Sequence, residues 1–259
     1  MKYNIEYAAL CHKGLIRSKN QDNLWCENIF LESENDGLSE MLTGEICTTT
    51  FPAFAVFDGM GGEQQGEIAA YIAASHFHAL YTSKNKCDTK LFLLDACSEM
   101  NKGICKYQKE NHIRQMGTTA AILMCGQEGI FVCNIGDSRI YQYSGKKITQ
   151  ISQDHSETNV MGKKPPLTQN LGIPETEFNI EPYIAKGIYN SGDRYLLCSD
   201  GLTDIVSDDE IQEIIAEQKE IVNATEKLLS KALERGGTDN ITVILCKVRK
   251  QKWFFNRNR

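Results

Sequence analysis

The chain has 259 residues, 41% hydrophobic and 24% charged, with five prolines and a net charge of −6; this is the composition of a folded globular chain, not of a disordered or fibrous one. Six of its 28 basic residues lie in 247–259, where there is no acidic residue, so the body sets 22 basic against 34 acidic residues and lacks the basic face that nonspecific nucleic-acid binding needs. No run of about 18 apolar residues reads as a membrane span, residues 1–10 hold no continuous apolar stretch of a secretory signal, and ten cysteines without a C-x-x-C pair argue against a zinc ribbon and fit a reducing, cytoplasmic setting.

In chain order, the first strong signal is the apolar run 51–57, which reads as a strand covered on both faces. Two helices follow, over about 63–81 and 88–110. Ile68, Ile72, Ala79 and Leu80 give the first an apolar stripe, and Leu91, Leu94, Cys97 and Ile104 the second. Strands are expected at 118–125, 130–135, 139–143 and 194–198, punctuated by Gly126, Gly136 and Gly145. A second helix pair spans about 208–218 and 221–235, opened by a Ser207/Glu210 capping box and stopped by Gly236. A last strand covers 241–248. This order predicts an α+β fold, a central β-sandwich of two antiparallel sheets flanked by pairs of helices.

Five aspartates mark strand ends: Asp22 in "GLIRSKNQD", Asp58 in "FAVFDGMGG", Asp137 in "NIGDSRIY", Asp200 in "YLLCSDGLTD" and Asp239 in "RGGTDNITVI". One such aspartate is an ordinary turn residue. Five at the rims of strands sharing one core would repel one another and resist desolvation unless cations joined them. An all-oxygen set suits Mg²⁺ or Mn²⁺, whereas the five histidines (His12, His76, His78, His112, His155) are dispersed and offer no zinc spacing. Glycine after Asp58 leaves room for a backbone carbonyl, that of Gly59, to approach a metal. Arg17, five residues before Asp22, suits bidentate phosphate binding, although alone it reads as a surface charge.

In this order, and with "MGTT", "QDHS" and "LTQNLG" between them, these motifs resemble the metal-dependent Ser/Thr protein phosphatases of the type 2C class, in its bacterial branch. The resemblance covers about residues 3–248. It implies one phosphatase domain over 1–248 with a short flap near 156–167, followed by a basic aromatic tail over 249–259. It implies hydrolysis of phosphoserine and phosphothreonine by direct attack of a dimetal-activated water. Asp58 would bridge two Mn²⁺ or Mg²⁺ ions, with Asp200 and Asp239 completing the shell of the first ion. The Gly59 carbonyl and Asp22 would serve the second ion, partly through water. Asp137 with Asp200 would hold a third, weaker ion. Arg17 would grip the phosphoryl group, and Asn240 would orient Asp239. Phosphorylated Ser/Thr proteins, a partner Ser/Thr kinase among them, are the expected partners.

Three departures from the family pattern stand out. Met60 replaces a histidine common in eukaryotic relatives. Gln21 replaces a metal-binding glutamate, which shifts that duty to Asp22. The flap is short, with ten residues between Ser156 and Leu167, including Lys163, Lys164, Pro165 and Pro166; altered substrate selection is expected from it. Cys11 and Arg17 have the spacing of a cysteine-phosphatase loop but not its glycine-rich sequence. The alternatives are a metal phosphohydrolase for small phosphoesters and an inactive phosphatase-like binding module. A dinucleotide loop fails, because the third glycine position after Gly59 is Gln64. Trp253, Phe254 and Phe255 in the tail could rest on an anionic membrane or a partner, against the simpler reading of a frayed end.

Overall fold

The computed structural model describes residues 3–60, 65–83, 86, 88–126, 129–157 and 165–251. Its strands are β1 (Tyr3–His12), β2 (Asp22–Cys26), β3 (Leu42–Cys47), β4 (Ala53–Met60), β5 (Gly117–Thr118), β6 (Ala120–Gly126), β7 (Gly129–Ile135), β8 (Arg139–Ser144), β9 (Lys147–Gln150), β10 (Tyr183–Gly187), β11 (Arg194–Cys198) and β12 (Ile241–Lys250). The helices are α1 (Gly66–Ser83), α2 (Thr89–Glu110), α3 (Asp200–Thr203), α4 (Asp208–Glu217) and α5 (Ile221–Glu234). One sheet runs β3-β1-β12-β11-β8-β9 and the other β10-β7-β6-β4-β2, with β5 paired to β4; every pairing is antiparallel.

The two-residue period of a strand explains why β4 is apolar throughout. Phe54 and Val56 point between the sheets, where they meet Ile5, Leu24 and Ile244. Ala53, Ala55 and Phe57 point outward against Phe77 of α1 and Leu93 of α2. On the opposite side, Leu196, Val243 and Leu245 pack against Ile211 of α4 and Leu228 of α5. The expected sandwich of two antiparallel sheets between helix pairs is the fold observed.

Several local readings change. α2 keeps half of the expected stripe: Cys97 and Ile104 are buried, but Leu91 and Leu94 are exposed, at 55% and 40%, and Phe92, Leu93, Ala96 and Met100 are buried instead. Leu91 and Leu94 sit three apart, but so do Leu93, Ala96 and Asn101's neighbour Met100 four further on, and the sheet takes the second set. β4 starts two residues later than the apolar run because Phe51 turns left-handed after the Thr48–Thr50 turn; it then continues through Asp58 to Met60. β12 reaches Lys250, paired with Tyr3, so residues 249–250 of the expected tail belong to the sheet. Trp253, Phe254, Phe255, Lys163 and Lys164 lie outside the described residues. The Ser207/Glu210 capping box forms as read, with Ser207 Oγ accepting from the Glu210 amide.

The change in the first turns of α2 is directly measurable. Leu93→Ala is expected to lower the unfolding free energy by about 2–5 kcal/mol, whereas Leu91→Ala should stay within about 0.5 kcal/mol of wild type; urea denaturation of both variants checks it.

Candidate metal centre

Strand polarity brings distant aspartates to one rim. In the β2–β4 pairing Asp22 stands opposite Asp58; β7 ends at Ile135 opposite Ala120; β11 ends at Cys198 opposite Val243, near the start of β12. The chain therefore leaves the sheets through Asp58–Gly59, Gly136–Asp137 and Ser199–Asp200, and enters β12 through Asp239–Asn240. A pocket of about 350 Å³ opens there, and Asp58, Asp137, Asp200 and Asp239 all line it, together with Arg17, Gly59 and Met60.

The backbone beneath these carboxylates is held by buried hydroxyls. The Asp58 amide donates to Thr119 Oγ1 at 3.0 Å, Thr118 Oγ1 donates to the Asp58 carbonyl at 2.9 Å, and Thr119 Oγ1 pairs with Ser138 Oγ at 2.7 Å. "MGTT" therefore acts through its two threonines, a role the motif alone did not assign. Gly136, at φ +96°, passes so close to Thr119 that a side chain would strike its methyl group. The Gly136 amide donates to His155 Nδ1 at 3.2 Å, which fixes the neutral tautomer of that ring; burial lowers its pKa in the same direction.

Asp22 does not line the pocket. It is 2% exposed, and its Oδ2 accepts from Ser199 Oγ and Thr242 Oγ1, both at 2.7 Å. It thus ties β2 in one sheet to the β11 end and β12 in the other. Its Oδ1 is buried without a hydrogen-bond partner, and burial lifts the carboxyl to about 6. The residue that does reach the pocket from this segment is Gln21, the position passed over in favour of Asp22. Its Nε2 donates to Glu67 Oε2 at 3.1 Å, and a carboxylate accepts only, so the amide nitrogen is the end that faces Glu67.

Gly59 also has a reason beyond the one its sequence suggests. A Cβ there would collide with the Gly66 carbonyl at the start of α1 and with the Gln21 carbonyl. The glycine lets three backbone segments close on one another, and the Gly59 amide donates to Gln21 O at 3.1 Å.

The loop 13–21 is fastened to the Asp239 turn. Leu15 N donates to Gly237 O at 2.8 Å. Asn240, 4% exposed, accepts from the Gln21 amide at 2.8 Å through Oδ1 and donates through Nδ2 to the carbonyls of Lys13 at 2.7 Å and Lys19 at 2.9 Å. It therefore orients the arginine loop as much as its neighbour Asp239. Arg17 Nη2 meets Asp239 Oδ2 at 2.6 Å, and this bond raises the guanidinium pKa further. Cys11 is excluded as a nucleophile: its thiol is buried against Asn20 and Thr242 and pushed up to about 12 by that burial.

Among the described residues, no three His, Cys, Asp or Glu side chains close on one point by themselves. A hard divalent cation does not require that, since it keeps waters and takes backbone carbonyls. Four carboxylates around one pocket with one guanidinium at its edge are a donor set that fits such ions. The base of the flap also closes on the pocket: Ser156 bridges Leu167, Glu157 N donates to Pro166 O at 3.1 Å, and Pro165 and Leu167 line the cavity.

A family model described as protein phosphatase 2C matches residues 47–235. The chain is 29% identical over 255 residues to a serine/threonine phosphatase, stp, of Listeria monocytogenes, covering 90% of this chain and 92% of the other. It is 31% identical over 216 residues to the protein phosphatase PhpP of Streptococcus pneumoniae, covering 75% and 85%. Among solved structures it resembles the catalytic domain of the serine/threonine protein phosphatase PstP in complex with two manganese ions, with a TM-score of 0.77, 26% identity, and coverage of 96% and 100%.

The stapling role of Asn240 predicts more than loss of volume. Asn240→Ala should cost about 2–4 kcal/mol of stability, because it strands a buried amide and two carbonyls. Asn240→Asp should also destabilise, since a carboxylate would face the Lys13 and Lys19 carbonyls; urea unfolding of both variants is the check.

Proposed function

Because the chain belongs to the protein phosphatase 2C family, we propose that it is a metal-dependent protein phosphatase that hydrolyses phosphoserine and phosphothreonine in proteins. The observation that carries this reading is the convergence of Asp58, Asp137, Asp200 and Asp239 from four separate segments on one pocket beside Arg17. Two Mn²⁺ or Mg²⁺ ions are the cofactors we propose, with Asp58, Asp200, Asp239 and the Gly59 carbonyl as ligands, and a third, weaker ion at Asp137 and Asp200. Asp22 lies beneath this lining, and its Oδ1, which has no hydrogen-bond partner among the described residues, is the atom we propose to serve the second ion through water. When bound, such ions lower the pKa of water and neutralise charge developing on a phosphoryl group.

The chain's own residues supply the rest. Arg17 offers a planar, permanently charged fork for two phosphoryl oxygens, and its bond to Asp239 holds it at the pocket edge before substrate arrives. Thr118 and Thr119 keep the Asp58 backbone from shifting as charge enters the pocket. Asp22 remains beneath, joining the sheets so that the two halves of the rim keep their spacing. No side chain here is a nucleophile of the covalent type, and the buried thiol of Cys11 takes no part.

No helix among the described residues is long and apolar enough to cross a membrane. Nine described cysteines are free thiols, the form a reducing cytoplasm maintains, and the cytoplasm is the compartment we propose. A Ser/Thr kinase is a proposed partner within the substrate class, and altered substrate selection by the short flap belongs to the same proposal.

Phosphate release from a phosphothreonine peptide tests the reading. Activity is expected with Mn²⁺, to vanish with a chelator and to return on adding Mn²⁺. Asp58→Asn and Asp239→Asn should each lose at least about 100-fold in kcat. Turnover of a nucleotide faster than the peptide, or full activity without divalent ions, contradicts it. Mn²⁺ at about 100 times its Kd should also stabilise the wild type by about 2.7 kcal/mol, and Asp58→Asn should abolish most of that gain in a thermal melt.

A further inference from the structure

The loop 13–21 has two sides. Arg17 and Gln21 border the carboxylate pocket, while Ser18 and Lys19 border a second, larger cavity of about 590 Å³, which Ser33, Glu34, Asp36 and Glu67 also line. Its wall is built in advance of any ligand. Asn35 Oδ1 accepts from Asn20 Nδ2 at 2.7 Å and from the Gly37 amide at 2.9 Å, Asn35 Nδ2 donates to Glu32 O at 2.7 Å, and Lys13 N donates to Asp36 O at 3.2 Å. Gly37, at φ +107°, lets that wall close against the Cys11 carbonyl.

Every residue lining the cavity is polar or charged, which suits a polar or charged group better than an apolar side chain. Its internal charges are already matched, with one exception. The Lys19 ammonium pairs with Glu67 and that of Lys13 with Asp36. Glu34 is exposed and makes no hydrogen bond or ion pair with the described residues. The cavity therefore presents one carboxylate beyond its hydrogen-bonded ion pairs, within the field of Lys19 only at longer range, with Ser18 and Ser33 in the same lining.

We propose that this cavity is a substrate subsite that receives a lysine or arginine side chain of the phosphoprotein. The proposal rests on the phosphatase reading above. The phosphoryl group is held at Arg17, and the substrate's cation lies across the loop at Glu34, with serine hydroxyls accepting its remaining N–H groups. Arg17 and Lys19 are two residues apart, so their Cα atoms are separated by at most about 7 Å. The two cavities share one short loop, so a basic side chain within about three positions of the phosphorylated residue is the one expected to reach Glu34. Continuity with the proposed catalytic pocket and charge complementarity favour a peptide substrate over a free anion, which Glu34 would repel.

The test uses phosphothreonine peptides carrying Lys, Ala or Glu at each position from three before to three after the phosphoresidue, with Mn²⁺ present. In the wild type, kcat/KM at the preferred position is expected to be about fivefold higher for Lys than for Ala, the scale of a partly exposed ion pair. Glu34→Gln should bring that ratio to about one, and Glu34→Lys should favour the Glu peptide; ratios within each variant cancel any shared change in turnover. An unchanged Lys preference in both variants, or none at any position in the wild type, overturns the subsite. Wild-type turnover of p-nitrophenyl phosphate separates the two levels: turnover without a Lys preference overturns the subsite alone, and no turnover with Mn²⁺ overturns the hydrolase reading and the subsite with it.

Discussion

Mutual repulsion among acidic side chains at one rim is the constraint around which this fold is arranged. Asp58, Asp137, Asp200 and Asp239 share a pocket, and like charges gathered so closely repel one another. Relaxation would be simple if their backbones were free. They are not: hydroxyls of Thr118, Thr119 and Ser138 lie under Asp58, and Asn240 joins the Asp239 turn to the arginine loop. The fold thus holds charges in place that would otherwise separate, which is the preorganisation a site for doubly charged ions needs.

The same economy explains Asp22. A carboxylate buried to 2% exposure and bonded to two hydroxyls is an expensive way to join two sheets. It joins them where apolar packing would leave the rim soft, directly under the pocket, because β2 pairs with β4 on one side and Ser199 and Thr242 belong to the other sheet. The two layers of acidic residues have different tasks, the upper one open to ligands and the lower one closed by hydrogen bonds.

Much of this was legible in the sequence, for identifiable reasons. The continuous apolar run of β4 marks a strand covered on both faces, and strand-end aspartates in glycine-rich turns mark a rim. The sequence does not mark the strands β1, β2, β3, β9 and β10. β1 buries its residues without a clean two-residue period, β2 opens with the buried polar pair Asp22 and Asn23, and β3, β9 and β10 are short and half-exposed, so neither alternation nor an apolar run announces them. In α2 the sequence places Cys97 and Ile104 correctly but not the first turns, where leucines occur on both sides and only packing decides between Leu91 and Leu93. The burial of Asp22 is not legible in its spacing: it stands opposite Asp58 across β2 and β4, and only the hydroxyls of Ser199 and Thr242 closing over its Oδ2 show that it lies beneath the pocket lining. Gly59 has a second reason that the sequence does not show, the close approach of the Gly66 and Gln21 carbonyls to its Cα.

The most direct measurement is anomalous diffraction at the manganese edge from crystals of the whole chain grown with Mn²⁺. The account predicts two strong peaks within reach of the Asp58 carboxylate, one shared with Asp200 and Asp239, and none bound directly by Asp22. Peaks only at other surface carboxylates, or a rim whose four aspartates carry no metal at saturating Mn²⁺, would contradict it.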